Sequence, residues 1–137
     1  MAARYLLDTN ILSDLIKHPA GRVAARINRF SPDELHEVAT SIIVAAEVRY
    51  GVVKKGSRIL DARIEQLFQV MPVLPFAVDA DKQYGRLRAE LERQGQVIGA
   101  NDMLIAAHAL AIGALLVTDN VKEFERIPSL TVENWLL

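Results

Sequence analysis

The stretch Tyr5-Leu6-Leu7-Asp8-Thr9-Asn10 decides how this chain is read: a short apolar run stops on a carboxylate. An apolar run of this length, bounded by turn formers, has the pattern of a strand buried on both faces, as in parallel sheets. In open α/β sheets, ligands sit beyond the carboxyl ends of the strands. Asp8 therefore marks where a site is expected, and the remaining question is which other residues arrive there.

A second run ends the same way: Leu115-Leu116-Val117-Thr118-Asp119-Asn120. Between the two runs the pattern is mostly helical. Thr9 or Asn10 can cap a helix carrying Ile11, Leu12, Leu15 and Ile16, which His18-Pro19 ends. A helix from about Gly21 sets Val23, Ile27 and Phe30 on one side and Arg22, Arg26 and Arg29 on the other. Ser31-Pro32-Asp33-Glu34 has the spacing of a capping box, and a short strand is expected over Glu37 to Ser41. Ile42 to Val53 reads as a buried helix and Ser57 to Met71 as an amphipathic one. Pro72 to Ala77 reads as an edge strand, since its prolines cannot donate to a ladder. Asp79 and Asn101 are read as caps of two further helices, closed by Gly95 and Gly113, with Leu104 to Ile112 apolar all round except at His108. A short acidic helix and a strand around Leu130 to Val132 complete the pattern. Strands alternating with helices predict an α/β sandwich on a mainly parallel sheet.

The chain's 137 residues, 51% hydrophobic and 24% charged, predict a single globular domain over residues 1–137. No run is long enough for a membrane span and no basic-then-apolar leader is present, so a cytoplasmic protein is expected. Cys is absent and the three His are scattered, which removes disulfides, thiolate nucleophiles and Cys-rich zinc sites. The net charge of −1 is unevenly spread: residues 1 to 63 hold ten Lys/Arg against seven Asp/Glu, and residues 64 to 137 six against ten. Arg22, Arg26, Arg29, Lys54, Lys55 and Arg58 are candidates for a phosphate-facing rim, or simply a solvated surface.

Asp8 and Asp119 would share one sheet edge, and Asp102, in the first turn of the apolar helix, would face it, where the helix dipole favours an ionised carboxylate. Each could equally be only a cap. Glu47 argues for more. Its helical neighbours Ile43, Val44, Tyr50 and Gly51 make its face apolar, and an unpaired buried carboxylate costs several kcal/mol. Arg49 points elsewhere, so a distant Arg or a metal ion is the expected partner. Four acids without Cys or clustered His form an oxygen-only site suited to Mg²⁺ or Mn²⁺, the kind that hydrolyses phosphodiesters. Thr9, Asn10, Thr118 and Asn120 would hold the acids in place or serve as caps. No dinucleotide fingerprint, P-loop or nucleophile elbow is present. His108 reads as a satisfied core residue, and Asp79 and Asp81 as capping residues rather than an Asp-x-Asp metal motif.

Tyr5 to Asn10, Ser41 to Gly51 with its Ala45-Ala46-Glu47-Val48-Arg49-Tyr50-Gly51 core, Ile98 to Ala109 with Asn101-Asp102-Met103, and Leu116 to Phe124 together resemble the PIN-domain family, specifically VapC-type toxin ribonucleases. The resemblance implies a PIN-like α/β/α sandwich, Mg²⁺-dependent endoribonuclease activity with tRNA the foremost substrate class, and toxicity restrained by a VapB-like antitoxin. It also implies a homodimer. The family's acidic positions fall on Asp8, Glu47, Asp102 and Asp119, with Asp8 and Asp102 as the primary metal ligands. The rival readings are a receiver-like regulatory domain, which needs a Lys at a strand end, and a catalytically silent PIN-like binding module.

Overall fold

A computed structural model describes residues 3–137. Its centre is β1 (Tyr5–Leu7), all three residues buried, paired in parallel with β2 (Val38–Ser41) on one side and β4 (Leu115–Val117) on the other. Two-residue strands β3 (Val73–Leu74) and β5 (Val132–Glu133) form the edges, giving a five-stranded, wholly parallel sheet in the order β3-β2-β1-β4-β5. The short β3 follows Pro72, as expected for an edge. The last strand lies slightly later than its apolar pattern suggests, since the ladder pairs Val117 with Glu133.

The helices are α1 (Thr9–Lys17), α2 (Arg22–Ile27), α3 (Ile42–Lys55), α4 (Arg58–Val70), α5 (Ala80–Arg93), α6 (Ala100–Ile112) and α7 (Val121–Phe124). α1 packs on α2, α3 and α4, while α5 packs on α6. The right-handed rule for parallel crossovers places these two groups on opposite faces of the sheet. The chain winds β1, β2, β3 outward to one edge, then returns to β4 and β5 on the other side of β1. That reversal between β1 and β4 is the topological switch point at which such sheets bind ligands.

Several caps differ from the sequence expectation by a residue or two. Asp8, not Thr9 or Asn10, caps α1, its Oδ1 accepting from the Thr9 N–H at 2.8 Å. Gly99, not Asn101, occupies the N-cap of α6. Asp79 stands at the N-cap of α5 in a left-handed conformation (φ 82°) but makes no side-chain capping bond; its own N–H donates to Asp81 Oδ1. The capping box does form: the Ser31 N–H donates to Glu34 Oε1 (2.9 Å) and the Glu34 N–H to Ser31 Oγ (3.3 Å). It opens only the 3₁₀ turn Leu35–Glu37, because β2 starts at Val38. Gly113 is left-handed (φ 69°), and the Ala114 N–H returns to Ala109 O at 2.9 Å, so α6 turns directly into β4.

α6 is the buried helix, with Met103 and Ile105 through Ala109 enclosed. α3, expected to be buried, is one-sided: Val44, Ala45, Val48 and Val52 face the core, whereas Tyr50 and Val53 are 66% and 75% exposed. His108 is buried and its Nδ1 lies 2.7 Å from Ser41 Oγ, but its Nε2 has no partner, so the core histidine is only half satisfied. Burial lowers its pKa and keeps it neutral. Ser41 also caps α3 through the Ile43 N–H. Ser41→Ala removes a cap worth about 1 kcal/mol and strands a buried ring nitrogen at about 1–3 kcal/mol. Denaturant titration should show about 2–4 kcal/mol lost; a loss within about 0.5 kcal/mol, the range of an ordinary surface change, would refute this account of the pair.

Candidate active site

The register that pairs Leu7 with Val117 puts the next residues, Asp8 and Thr118, side by side beyond the carboxyl edge of the sheet. The Asp8 N–H donates to Val117 O (2.8 Å), and the Thr118 hydroxyl donates to Asp8 Oδ2 (2.7 Å). With the Thr9 N–H on Oδ1, both carboxylate oxygens of the buried Asp8 are held, one from the start of α1 and one from the residue after β4. Thr118 Oγ1 in turn accepts from the Asn120 N–H.

Glu47, on the second turn of α3, points at the same edge. Its Oε1 accepts from the Thr9 hydroxyl (2.7 Å) and its Oε2 from Asn101 Nδ2 of α6 (3.3 Å). The expected cation is therefore not an arginine: Glu47 is half-buried and met by two neutral donors, while Arg49 pairs with Glu65 and rides over Phe68. Asp119 is exposed and accepts from Asn10 Nδ2 at 2.9 Å. Asp102, half-buried in the first turn of α6, reaches back across Gly99, where an added Cβ would stand 3.3 Å from its Oδ2.

The charges at this edge oppose one another. Burial, then the charges of Glu47 and Asp119, raise the Asp8 pKa against the opposing hydrogen bonds from Thr118 and Thr9. Asp102 is pushed up to about 7, first by burial, then by a hydrogen bond with Glu123 and the charges of Glu123, Asp8 and Glu47. A helix N-terminus favours an ionised carboxylate by only about 0.3–1 kcal/mol, and here it loses. Ion pairs among the described residues all lie elsewhere: Arg49–Glu65, Lys82–Asp79, Arg88–Glu92 and Arg93–Glu90. Asp79 and Asp81 are exposed at the start of α5 and have no bond to this cluster.

A sequence model of the PIN domain matches residues 5–130, nearly the whole described chain. The chain belongs to the PIN-domain family. Among similar proteins, Ribonuclease VapC2 of Rickettsia felis is 41% identical over 96% of this chain and 97% of its own length. The tRNA(fMet)-specific endonuclease VapC of Shigella flexneri is 36% identical over 96% of this chain and 98% of its own. The crystal structure of VapBC2 from Rickettsia felis bound to a DNA fragment from their promoter contains a chain that superposes with a TM-score of 0.84 at 38% identity, covering 96% of this chain and 98% of that one.

Two members of this PIN domain's site escaped the sequence reading. Asn101 is not a cap: it sits one residue inside α6 and donates to Glu47. Glu123 of the short acidic helix α7 accepts from the Gly99 N–H (3.2 Å) and from Asn120 Nδ2, and bonds Asp102. Its spacing of three from Asn120 on an acidic helix was the available signal. Among the described residues no strand is followed by a Lys, as a receiver-like domain would need; Asp8, Ile42, Pro75, Thr118 and Asn134 follow the five. Among the described residues no three or more His, Asp or Glu side chains are placed, as they stand, so as to hold a metal ion together. The donor set nonetheless suits a hard divalent ion: carboxylate and hydroxyl oxygens meet at this edge with excess negative charge, and none of the described ion pairs reaches them.

Proposed function

We propose that this PIN domain is a Mg²⁺-dependent endoribonuclease, the toxin of a toxin-antitoxin pair, with tRNA as its substrate class. The observation that carries the reading is the convergence of Asp8, Glu47, Asp102 and Asp119 on one sheet edge with no cationic side chain among them. Asp8 and Asp102 would hold Mg²⁺ or Mn²⁺, with Glu47 and Asp119 alongside. When bound, the ion supplies activation of an attacking water and relief of the charge that grows on a phosphodiester. The remaining work belongs to the chain. Thr118 and the Thr9 N–H fix the Asp8 carboxylate; the Thr9 hydroxyl and Asn101 fix Glu47; Asn10 fixes Asp119; Asn120 orients Glu123. Asp102, close to neutrality, can hold a proton on its carboxylate oxygen or release it as the site loads.

The named VapC relatives support the ribonuclease reading, and the VapBC complexes among structural neighbours support an antitoxin partner. An apolar hollow of about 500 Å³ between α1, α2 and α4, lined by Leu15, Ile27, Leu35, Leu67 and Val70, suits an apolar segment of such a partner. Exposed Tyr50, Val53 and Ile59 around the α3–α4 corner suit a second copy, hence a homodimer. No helix among the described residues is long and apolar enough to cross a membrane, and we place the protein in the cytoplasm with its RNA.

The purified protein should cleave RNA only with Mg²⁺ or Mn²⁺, leaving a 5′-phosphate and a 3′-hydroxyl, because water rather than the ribose 2′-hydroxyl attacks. End-group analysis after cleavage of total RNA checks this. Products ending in 2′,3′-cyclic phosphate would refute the mechanism, and absence of metal-dependent cleavage would favour the silent binding module.

A further inference from the structure

A narrow cleft of about 180 Å³ lies between α1 and α3, with Glu47 of the acidic cluster at one end and two lysines at the other. Thr9, Asn10 and Glu47 line the first end; Lys17 and Lys55, the last residues of the two helices, line the other end. Both helices start at the carboxyl edge of the sheet, α1 directly after β1 and α3 directly after β2, so they run the same way and pack on each other. Asn10, Ser13 and Lys17 recur at three and seven on one wall, and Glu47, Gly51 and Lys55 at four and eight on the other. Ile16, Val48, Val52 and Leu60 contribute buried apolar surface between the walls. Gly51 stands midway, and an added Cβ there would meet nothing within 4 Å.

We infer that the RNA strand flanking the scissile bond lies over this cleft along α1 and α3, with Lys17 and Lys55 each holding one phosphate remote from the acids. The inference rests on the ribonuclease reading. Eight residues of helix separate Thr9 from Lys17 and Glu47 from Lys55, about 12 Å at 1.5 Å per residue, or about three to four nucleotides of a stacked strand at 3.4 Å each. Neither lysine has a carboxylate partner among the described residues' ion pairs. The neighbouring Lys54 lies over the Tyr50 ring and does not line the cleft. Arg22, Arg26 and Arg29 line a separate hollow with Trp135, so the basic residues of the first half do not form one rim. Without Gly51 the passage between acids and lysines would be narrowed by a side chain. Lysines in a last helical turn also offset the helix dipole, which is a purely structural role. That role affects melting temperature and leaves substrate binding alone.

The test is steady-state cleavage of unfractionated tRNA at fixed Mg²⁺ across a salt series, with melting temperatures measured alongside. For Lys17→Ala/Lys55→Ala, KM should rise with kcat little changed. The slope of log KM against log salt should become shallower by about 1.4, the share of two single-strand phosphate contacts at about 0.7 each. Gly51→Leu, which gains helix propensity and whose Cβ meets nothing within 4 Å, should melt at or above wild type and still raise KM. Lys54→Ala, with the same charge loss as Lys55→Ala, should change neither KM nor slope. If wild type cleaves tRNA while KM and slope stay fixed in the double variant, the cleft inference is wrong and the ribonuclease reading survives. Equal effects of Lys54→Ala and Lys55→Ala would overturn it in favour of general charge attraction. Loss of a co-expressed antitoxin with unaltered KM would assign the cleft to that protein instead. A wild type that cleaves no RNA removes both readings together.

Discussion

Asp8→Asn is expected to abolish RNA cleavage while leaving the metal-free protein at least as stable as wild type. The amide keeps an oxygen for the Thr9 N–H and can donate through Nδ2 to Thr118 Oγ1, so the cap and the link to β4 both persist. What disappears is a buried negative charge that burial and the charges of Glu47 and Asp119 already disfavour. Melting in EDTA should therefore hold steady or rise. In Mg²⁺ the order reverses, because a ligand that binds only the folded state adds about 2.7 kcal/mol at a hundred times its Kd, and the variant should lose most of that gain. Cleavage should fall by about a hundredfold to a thousandfold or more, the scale on which removing one electrostatic contact to a transition state acts. Asp79→Asn, outside the cluster, should keep both the Mg²⁺ stabilisation and the cleavage. Wild-type Mg²⁺ stabilisation in Asp8→Asn would place the ion elsewhere.

Asp102 gives the second large effect, on pH dependence. Its carboxyl group titrates near 7 in the fold against an ordinary value of 3.8, so between these limits the folded protein holds more protons than the unfolded chain. Stability of the metal-free protein should then be greatest on this account below about pH 4 and decline as pH rises to about 7. Full linkage over that span would approach about 4 kcal/mol; partial exposure and screening reduce the expected decline to about 1–2 kcal/mol. Asp102→Asn should flatten the curve, and Glu123→Gln should move its lower-stability plateau to lower pH by withdrawing a neighbouring charge and hydrogen bond. On the proposed metal site, Mg²⁺ would displace the same proton, and its apparent affinity should weaken about tenfold per pH unit below about 7. Chemical denaturation with EDTA and Mg²⁺ titrations between pH 5 and 8, the range spanning that value, measure both. A wild-type curve as flat as that of Asp102→Asn would refute the shared-charge picture.

Much of this was legible in the chain because its strongest signals are local. Two apolar runs that each end on Asp, with a Pro-flanked edge and long helical patterns between them, dictate buried parallel strands with carboxylates at one edge, and the sheet has that form. The cap of α1 falls one residue before its sequence pattern because Asp8 does two things at once: it closes the start of the helix and joins the acidic cluster. For Glu47, the apolar face assumed from helical spacing is interrupted by solvent, with Tyr50 pointing outward, and its donors come from α1 and α6. Such partners are set by how three helices meet at the sheet edge, which no local pattern encodes. Glu123 was hidden for the same reason, since its bond to Asp102 depends on α7 folding beneath the start of α6.

The bond from Thr118 to Asp8 joins residues 110 positions apart, and the bond from Asn10 to Asp119 joins residues 109 apart. Such distant contacts form late, because loop closure has to precede them. A chain still being synthesised, at about 5–20 residues per second, presents Asp8 and Glu47 long before Asp119 and Glu123 exist. The cluster cannot close on the ribosome until β4 has been made and has found β1. On the proposed toxin reading, a truncated product that stops short of Leu115 lacks Asp119, Glu123 and the strand beside Asp8, and it should be inert without any antitoxin. On the same reading, a strand order that puts β4 beside β1 defers the completed cluster to the end of synthesis.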